Sequence, residues 1–183
     1  VIIQQLLEDI HRYIGNNTIT FYEGKGEVSK DLTVKVNEET FEAENIILAT
    51  GSRPFVPPFK GLETADYHTT DTIFHIKELP KQLTIIGGGV ISIEMAFSLA
   101  PLGTKVTILN HSRDILQTEE PDARPIIRQK LYDLGVELVL DFDFEEIRGN
   151  EIVTSRGVYT YENLLFATGR RPNVEIAEAL GLE

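Results

Sequence analysis

The chain has 183 residues, 42% of them hydrophobic and 25% charged, a formal net charge of −12 and no cysteine. That is a globular sequence long enough for one large domain or two small ones, and its negative charge repels phosphate backbones and anionic membrane surfaces, which sets nucleic acid aside as a partner. No disulfide framework, thiolate metal site or thiol nucleophile exists in this stretch, no run of about 18 apolar residues spans a bilayer, and no signal-peptide pattern opens it, so a cytoplasmic setting is expected. The chain begins at Val1 already inside an amphipathic pattern, which reads as a fragment of a longer protein.

Ile2, Ile3, Leu6, Leu7, Ile10 and Ile14 recur at a spacing near 3.6, predicting a helix over residues 1–14 with one buried stripe, ended by Gly15-Asn16-Asn17. From Thr18 to Thr50 the pattern shifts to short apolar runs, Ile19–Phe21, Leu32–Val36 and Ile46–Leu48, separated by turn residues, which predicts an antiparallel meander. Ser52-Arg53-Pro54-Phe55-Val56-Pro57-Pro58 reads as a crossing linker, because its prolines fix φ and remove donors.

Leu83–Ile86, the glycines Gly87-Gly88-Gly89 and the helical run Val90–Ala100 follow in the order strand, turn, helix. Gly103 ends that helix and Lys105–Leu109 is a second strand of the buried parallel type. Together they predict a right-handed βαβ unit. A helix over about 122–134, a strand Val136–Leu140, a polar meander over about 142–161 and a last apolar strand Leu164–Phe166 complete an α/β module.

One segment is repeated. Glu44-Asn45-Ile46-Ile47-Leu48-Ala49-Thr50-Gly51-Ser52-Arg53-Pro54 returns as Glu162-Asn163-Leu164-Leu165-Phe166-Ala167-Thr168-Gly169-Arg170-Arg171-Pro172. Each copy is an apolar strand stopping at a small Thr-Gly corner where backbone can approach a ligand, and the duplication implies two related nucleotide-binding domains.

The stretch Gly87-x-Gly89-x-x-Ser92 fits a dinucleotide fingerprint in the required strand and helix context, with Ser92 in place of the third glycine or alanine. Gly87, Gly88, Gly89, Val90 and Ile91 would bring backbone and the helix N-terminus to the pyrophosphate. At the end of the second strand an acidic residue would bind the ribose hydroxyls of NADH and repel a 2′-phosphate. Asn110 stands there, followed by His111, Ser112 and Arg113. The balance favours NADPH over NADH, with His111 or Arg113 beside the phosphate; the alternative is that Asn110 bonds an NADH ribose while Arg113 is solvated. Glu94, on the first helix, is either a solvated or dipole-favoured glutamate or a functional one. His11, His68 and His75 read as structural or surface residues, no metal site is expected, and Glu119-Glu120 and Glu145-Glu146 read as solvated faces.

Gly87–Glu94, Ala49–Pro54 and Ala167–Asn173 together resemble the flavoprotein disulfide reductases: dihydrolipoamide dehydrogenase, glutathione reductase and mercuric reductase. The resemblance implies a Rossmann-like NAD(P)H-binding domain with a β-meander at 79–167, inserted into an FAD-binding domain to which 1–78 and 168–183 belong. It implies that Lys25, Gly26, Thr50, Gly51 and Arg170 lie toward FAD, that Gly169 faces NAD(P)H, that Val90 gates the nicotinamide pocket, and that Glu94 supports the flavin side by pairing with a lysine. Hydride would pass from NAD(P)H through FAD to a small disulfide or metal-ion substrate, in a homodimer formed through a further C-terminal domain. Asn110 in place of an acid places the chain nearer mercuric reductase than dihydrolipoamide dehydrogenase. A flavoprotein NAD(P)H oxidase, a ferredoxin-type reductase and a non-catalytic dinucleotide-binding module are the alternatives.

Overall fold

The computed structural model describes residues 2–16 and 18–182. Its contacts divide the chain into two compact units, one of residues up to Gly51 with those from Asn173 on, the other Ser52–Pro172. No helix among the described residues is long and apolar enough to cross a membrane.

In the first unit, α1 (Ile2–Gly15) forms where the 3.6-residue spacing predicts it. Val1, Asn17 and the side chains of Ile2 and Ile3 lie outside the described residues. The stripe does not become core: Leu6, Leu7 and Ile10 are each more than half exposed and find no full partner among the described residues. Strands β1 (Gly26–Val28), β2 (Thr33–Val36) and β3 (Glu39–Glu42) make an antiparallel sheet in that order, with Val28 opposite Val34 and Tyr22 against Phe41 at 4.5 Å between ring centroids. A short helix, Glu175–Leu180, packs on β1.

Two expected strands are absent. Ile19–Phe21 and Ile46–Leu48 have extended sequence patterns but no ladder partner, and Ile47 is 91% exposed. A strand exists only by pairing, and an apolar run of the buried parallel kind needs neighbours on both edges. Among the described residues none is supplied.

The second unit begins with β4 (Ser52–Pro54), passes β5 (His68–Thr69), and enters the βαβ unit: β6 (Gln82–Ile86), α2 (Val90–Leu99) and β7 (Lys105–Asn110). It continues through α3 (Ala123–Asp133) and β8 (Glu137–Leu140), then a meander of β9 (Phe144–Arg148), β10 (Glu151–Thr154) and β11 (Gly157–Thr160), then β12 (Asn163–Phe166) and β13 (Arg170–Pro172). The parallel sheet has the order β5-β12-β6-β7-β8. Each central strand is apolar on both sides because both sheet faces are covered. Leu83, Ile85, Val106, Ile108 and Leu165 pack with Ile93 and Ala96 of α2 and Leu131 of α3. Ile86, Leu109, Leu164 and Phe166 pack with Phe142 and with Ile147 and Ile152 of the meander.

The crossing Ser52–Pro54, expected to be linker, is a strand. β4 pairs antiparallel with β13, Arg53 opposite Arg171 and Ser52 opposite Pro172. Proline is tolerated because a two-stranded ribbon is all edge, with one side of each strand free of ladder bonds. This pairing, and that of His68 with Leu165, draw the compact unit out to 52 and 172, wider than the 79–167 block the sequence marks.

Candidate functional site

The chain leaves β6 for β7 on one side while β12 flanks it on the other, and in open parallel sheets that switch point is where a crevice opens at the carboxyl ends of the strands. A cleft of about 550 Å³ lies here, bounded by Gly87–Ile91, by the loop after β7, and by Ala167–Gly169.

Three consecutive glycines serve three purposes. Gly87 has φ +116°, and a Cβ on it would be driven into the Ala167 carbonyl oxygen; only glycine fits the turn. Gly88 lies over Asn110, whose Cγ would be 2.6 Å from an added Cβ. Gly89 caps α2 in extended conformation, with open space where its Cβ would be. The first N–H groups of α2 have no partner within the helix and, with the helix dipole, they favour an anion. Ser92 is fully buried one turn behind, and its hydroxyl has no partner among the described residues.

The adjoining wall is the loop after β7. Asn110 is buried, and its Nδ2 donates to the Asp114 carbonyl at 2.9 Å and to the Ser112 carbonyl at 3.4 Å. Asp114 accepts from the Ile115 amide at 2.8 Å and from Arg128 Nη1 at 2.9 Å. The Leu116 amide donates to the Gly88 carbonyl at 2.7 Å, closing the loop onto the glycine turn. His111 lines the cleft with its Nδ1 2.9 Å from Ser112 Oγ. Arg113 points away: its side chain is 91% exposed and lies 3.7 Å from Asp141.

The opposite wall is built by the second Thr-Gly corner and the strap that begins at β4. Phe55 N–H donates to the Gly169 carbonyl at 2.9 Å and Thr168 Oγ1 to the Phe55 carbonyl at 2.5 Å. Phe55, Pro57 and Phe59 thereby line the cleft, Phe55 carries the Arg171 guanidinium 3.8 Å above its ring, and Phe59 stacks on Phe144 at 3.8 Å. The sequence did not single out these aromatics. Phe55's place directly after a duplicated Arg-Pro was the available signal.

The strap is anchored beyond Phe59. Lys60 Nζ reaches Glu146 Oε2 at 2.7 Å, and Arg148 pairs with the same carboxylate. Glu146 is therefore no solvated twin of Glu145: Lys60 and Arg148 close over its carboxylate, it is only 9% exposed, and hydrogen bonds from Lys60 and Arg148 hold its pKa below the usual carboxylate range.

The structure thus gathers Gly87, Gly88, Gly89, Val90, Ile91, Asn110, His111 and Gly169 around one cleft, with Ser92 behind it and Arg113 outside it. Glu94 is exposed on α2, beside a shallower hollow with Val90 and Glu119, and has no ion-pair partner among the described residues. Lys25 and Gly26 lie at the start of β1. The Thr50 hydroxyl and the Gly51 carbonyl are both engaged by Asn173. Arg170, expected toward FAD, is engaged within its own unit by Ser52, Thr70 and Asp71.

Residues 2–183 match the family model of the pyridine nucleotide-disulphide oxidoreductases. The chain is 36% identical to a mercuric reductase of Lysinibacillus sphaericus over 151 residues, 78% of this chain and 28% of the relative. It is 30% identical to a dihydrolipoyl dehydrogenase of Acholeplasma laidlawii over 190 residues, 100% of this chain and 56% of the relative. Among solved structures, the HOCl-induced flavoprotein disulfide reductase RclA from Escherichia coli superposes with a TM-score of 0.81 at 29% identity, covering 92% of this chain and 40% of that one. The chain spans about half or less of the length of these relatives.

Proposed function

The chain belongs to the pyridine nucleotide-disulphide oxidoreductase family, and on that premise we propose that Ser52–Pro172 is its NAD(P)H-binding portion, holding the nicotinamide for hydride transfer to FAD. Residues up to Gly51 and from Asn173 on then belong to the related FAD-binding domain. The observation that carries this reading is Gly89: a backbone cradle open where a Cβ would be, at the N-terminus of α2, inside the cleft.

In that arrangement the amides opening α2 hold the pyrophosphate. The loop from Asn110 to Leu116 receives the adenosine half, and the Thr168-Gly169 corner with Phe55 receives the nicotinamide half. The apolar walls exclude water from the transferred hydride, and the gain is one of proximity and orientation. A flavin, when bound, accepts the hydride and passes electrons on to a small disulfide or metal-ion substrate. The full-length protein works as a cytoplasmic homodimer, with Lys25, Gly26, Thr50, Gly51 and Arg170 on the flavin side, Val90 gating the nicotinamide and Glu94 supporting the flavin.

NADPH is the preferred donor. The one carboxylate among the described residues lining the adenosine side of the cleft, Asp114, is committed to Arg128 at 2.9 Å, which offsets its repulsion of a 2′-phosphate, while His111 and Ser112 line the cleft there; Arg113 joins them only by leaving Asp141. Titrating the purified full-length protein with NADPH and NADH tests this. Expected is a flavin spectrum bleached by either nucleotide, at lower concentration by NADPH, with His111→Ala narrowing the difference. A colourless protein that binds neither nucleotide would overturn the reading.

A further inference from the structure

Asn110 occupies the position from which a side chain would read the ribose, yet the hydrogens of its amide are spent inside the protein. Both Nδ2 bonds go to carbonyls of its own loop, Asp114 and Ser112, and its Cγ lies directly beneath Gly88. The same loop is fastened at further points. Asp114 receives the Ile115 amide and Arg128, the Asp141 amide donates to the carbonyls of Asn110 and Ser112 at 3.2 and 3.0 Å, and the Leu116 amide reaches Gly88. Leu116 itself sits at φ +51°, a conformation disfavoured for a non-glycine residue and kept only where the surroundings over-determine it.

We propose that Asn110 is a positioning residue: it shapes the loop 110–116 against Gly88 and sets the width of the adenosine half of the cleft, while choice between the two nucleotides falls to His111 and Ser112. The proposal rests on the nucleotide reading of the cleft. Its physical basis is that a buried amide donating to two carbonyls of a tight loop cannot be removed without leaving those acceptors unpaired. The loop then relaxes, and both nucleotides lose affinity together. An acid in its place gains nothing for the unphosphorylated ribose, because a carboxylate cannot donate and would face the Asp114 and Ser112 carbonyls.

The test uses the full-length flavoprotein and two probes confined to the adenosine end, ADP-ribose and 2′-phospho-ADP-ribose, titrated by calorimetry. Asn110→Ala weakens both by about tenfold with their ratio unchanged, and near-isosteric Asn110→Asp also weakens ADP-ribose. In turnover, KM for the reduced nucleotide rises while kcat at saturation holds. Arg128→Met, outside the cleft lining, loosens the loop and also frees the Asp114 carboxylate, so it weakens both probes by up to about fivefold and 2′-phospho-ADP-ribose the more. An Asn110→Asp variant that binds ADP-ribose more tightly would show direct ribose contact and overturn the proposal. So would an Asn110→Ala variant whose ratio of affinities shifts, or retention of full affinity in both Asn110→Ala and Arg128→Met. If the unaltered protein binds neither probe, the nucleotide reading itself falls, an outcome distinct from these.

Discussion

Thr168 Oγ1 donates to the Phe55 carbonyl at 2.5 Å and Thr50 Oγ1 donates to the Asn173 carbonyl at 2.5 Å. The threonines of the two Ala-Thr-Gly copies make reciprocal bonds, each holding the residue that follows the other copy's Arg-Pro. The backbone repeats the pattern: the Phe55 amide donates to Gly169 and the Asn173 amide to Gly51, both at 2.9 Å. A duplicated sequence has therefore kept a duplicated bonding scheme, and in the second copy that scheme builds one wall of the cleft.

Gly87 and Gly89 should separate folding from binding. Gly87→Ala forces a Cβ into the Ala167 carbonyl at φ +116° and destabilises by about 1–3 kcal/mol or more. Gly89→Ala meets nothing in the protein, so stability changes by less than about 1 kcal/mol, while nucleotide affinity falls at least about tenfold. Urea unfolding and nucleotide titration on the same two variants check both halves.

Ser92 carries a buried hydroxyl without a partner among the described residues. Ser92→Ala should raise stability by about 1 kcal/mol and leave nucleotide affinity unchanged, since only the small size of the residue is used at the contact of α2 with the sheet. A lower urea midpoint would show that the hydroxyl has a role.

Arg170 ties β13 to β4 and to the turn at 70–71: Nε donates to Ser52 Oγ at 2.8 Å, Nη2 to the Ser52 carbonyl at 2.5 Å, and Nη1 to Thr70 Oγ1 and Asp71 Oδ1 at 2.6 and 2.8 Å. Arg170→Ala should cost about 1–2 kcal/mol, and Arg170→Lys should recover only part, because an ammonium cannot reproduce the planar fork. Unfolding midpoints of the three proteins give the comparison.

Glu146 predicts an acid limb. Its pKa is lowered in the folded state by Lys60 and Arg148, so its contribution is present above the ordinary carboxylate pKa and is lost as pH falls through the lower folded value. The melting temperature should therefore decline from about pH 5 downward. Glu146→Gln should be less stable at neutral pH and flatter on the acid side. A variant with the parent's full acid slope would assign that slope to other groups.

How much of this the sequence disclosed depends on where each residue's partners lie. The βαβ unit was legible because its signals are local: an apolar run, glycines, a helical period, another apolar run. Ile46–Leu48 has an equally good strand pattern and makes no strand, since its ladder depends on neighbours absent from the described residues. Ser52–Pro54 erred the other way, its proline hiding a ribbon whose partner lies far along the chain. At the site, Gly87 could be read from its motif. The commitment of Asn110 to carbonyls of its own loop, and of Arg170 to Ser52 and Asp71, arises only when the loops close.

The pairing of Ser52 with Pro172 has one more consequence. The chain enters and leaves the second unit through adjacent strands, so the unit is a cassette whose ends already touch. A gene encoding Ser52–Pro172 alone has its termini held side by side by β4 and β13, and a short linker joining them would permit circular permutants opened at any surface turn. An ancestral insertion would likewise have required no extension of the host chain to bridge a gap.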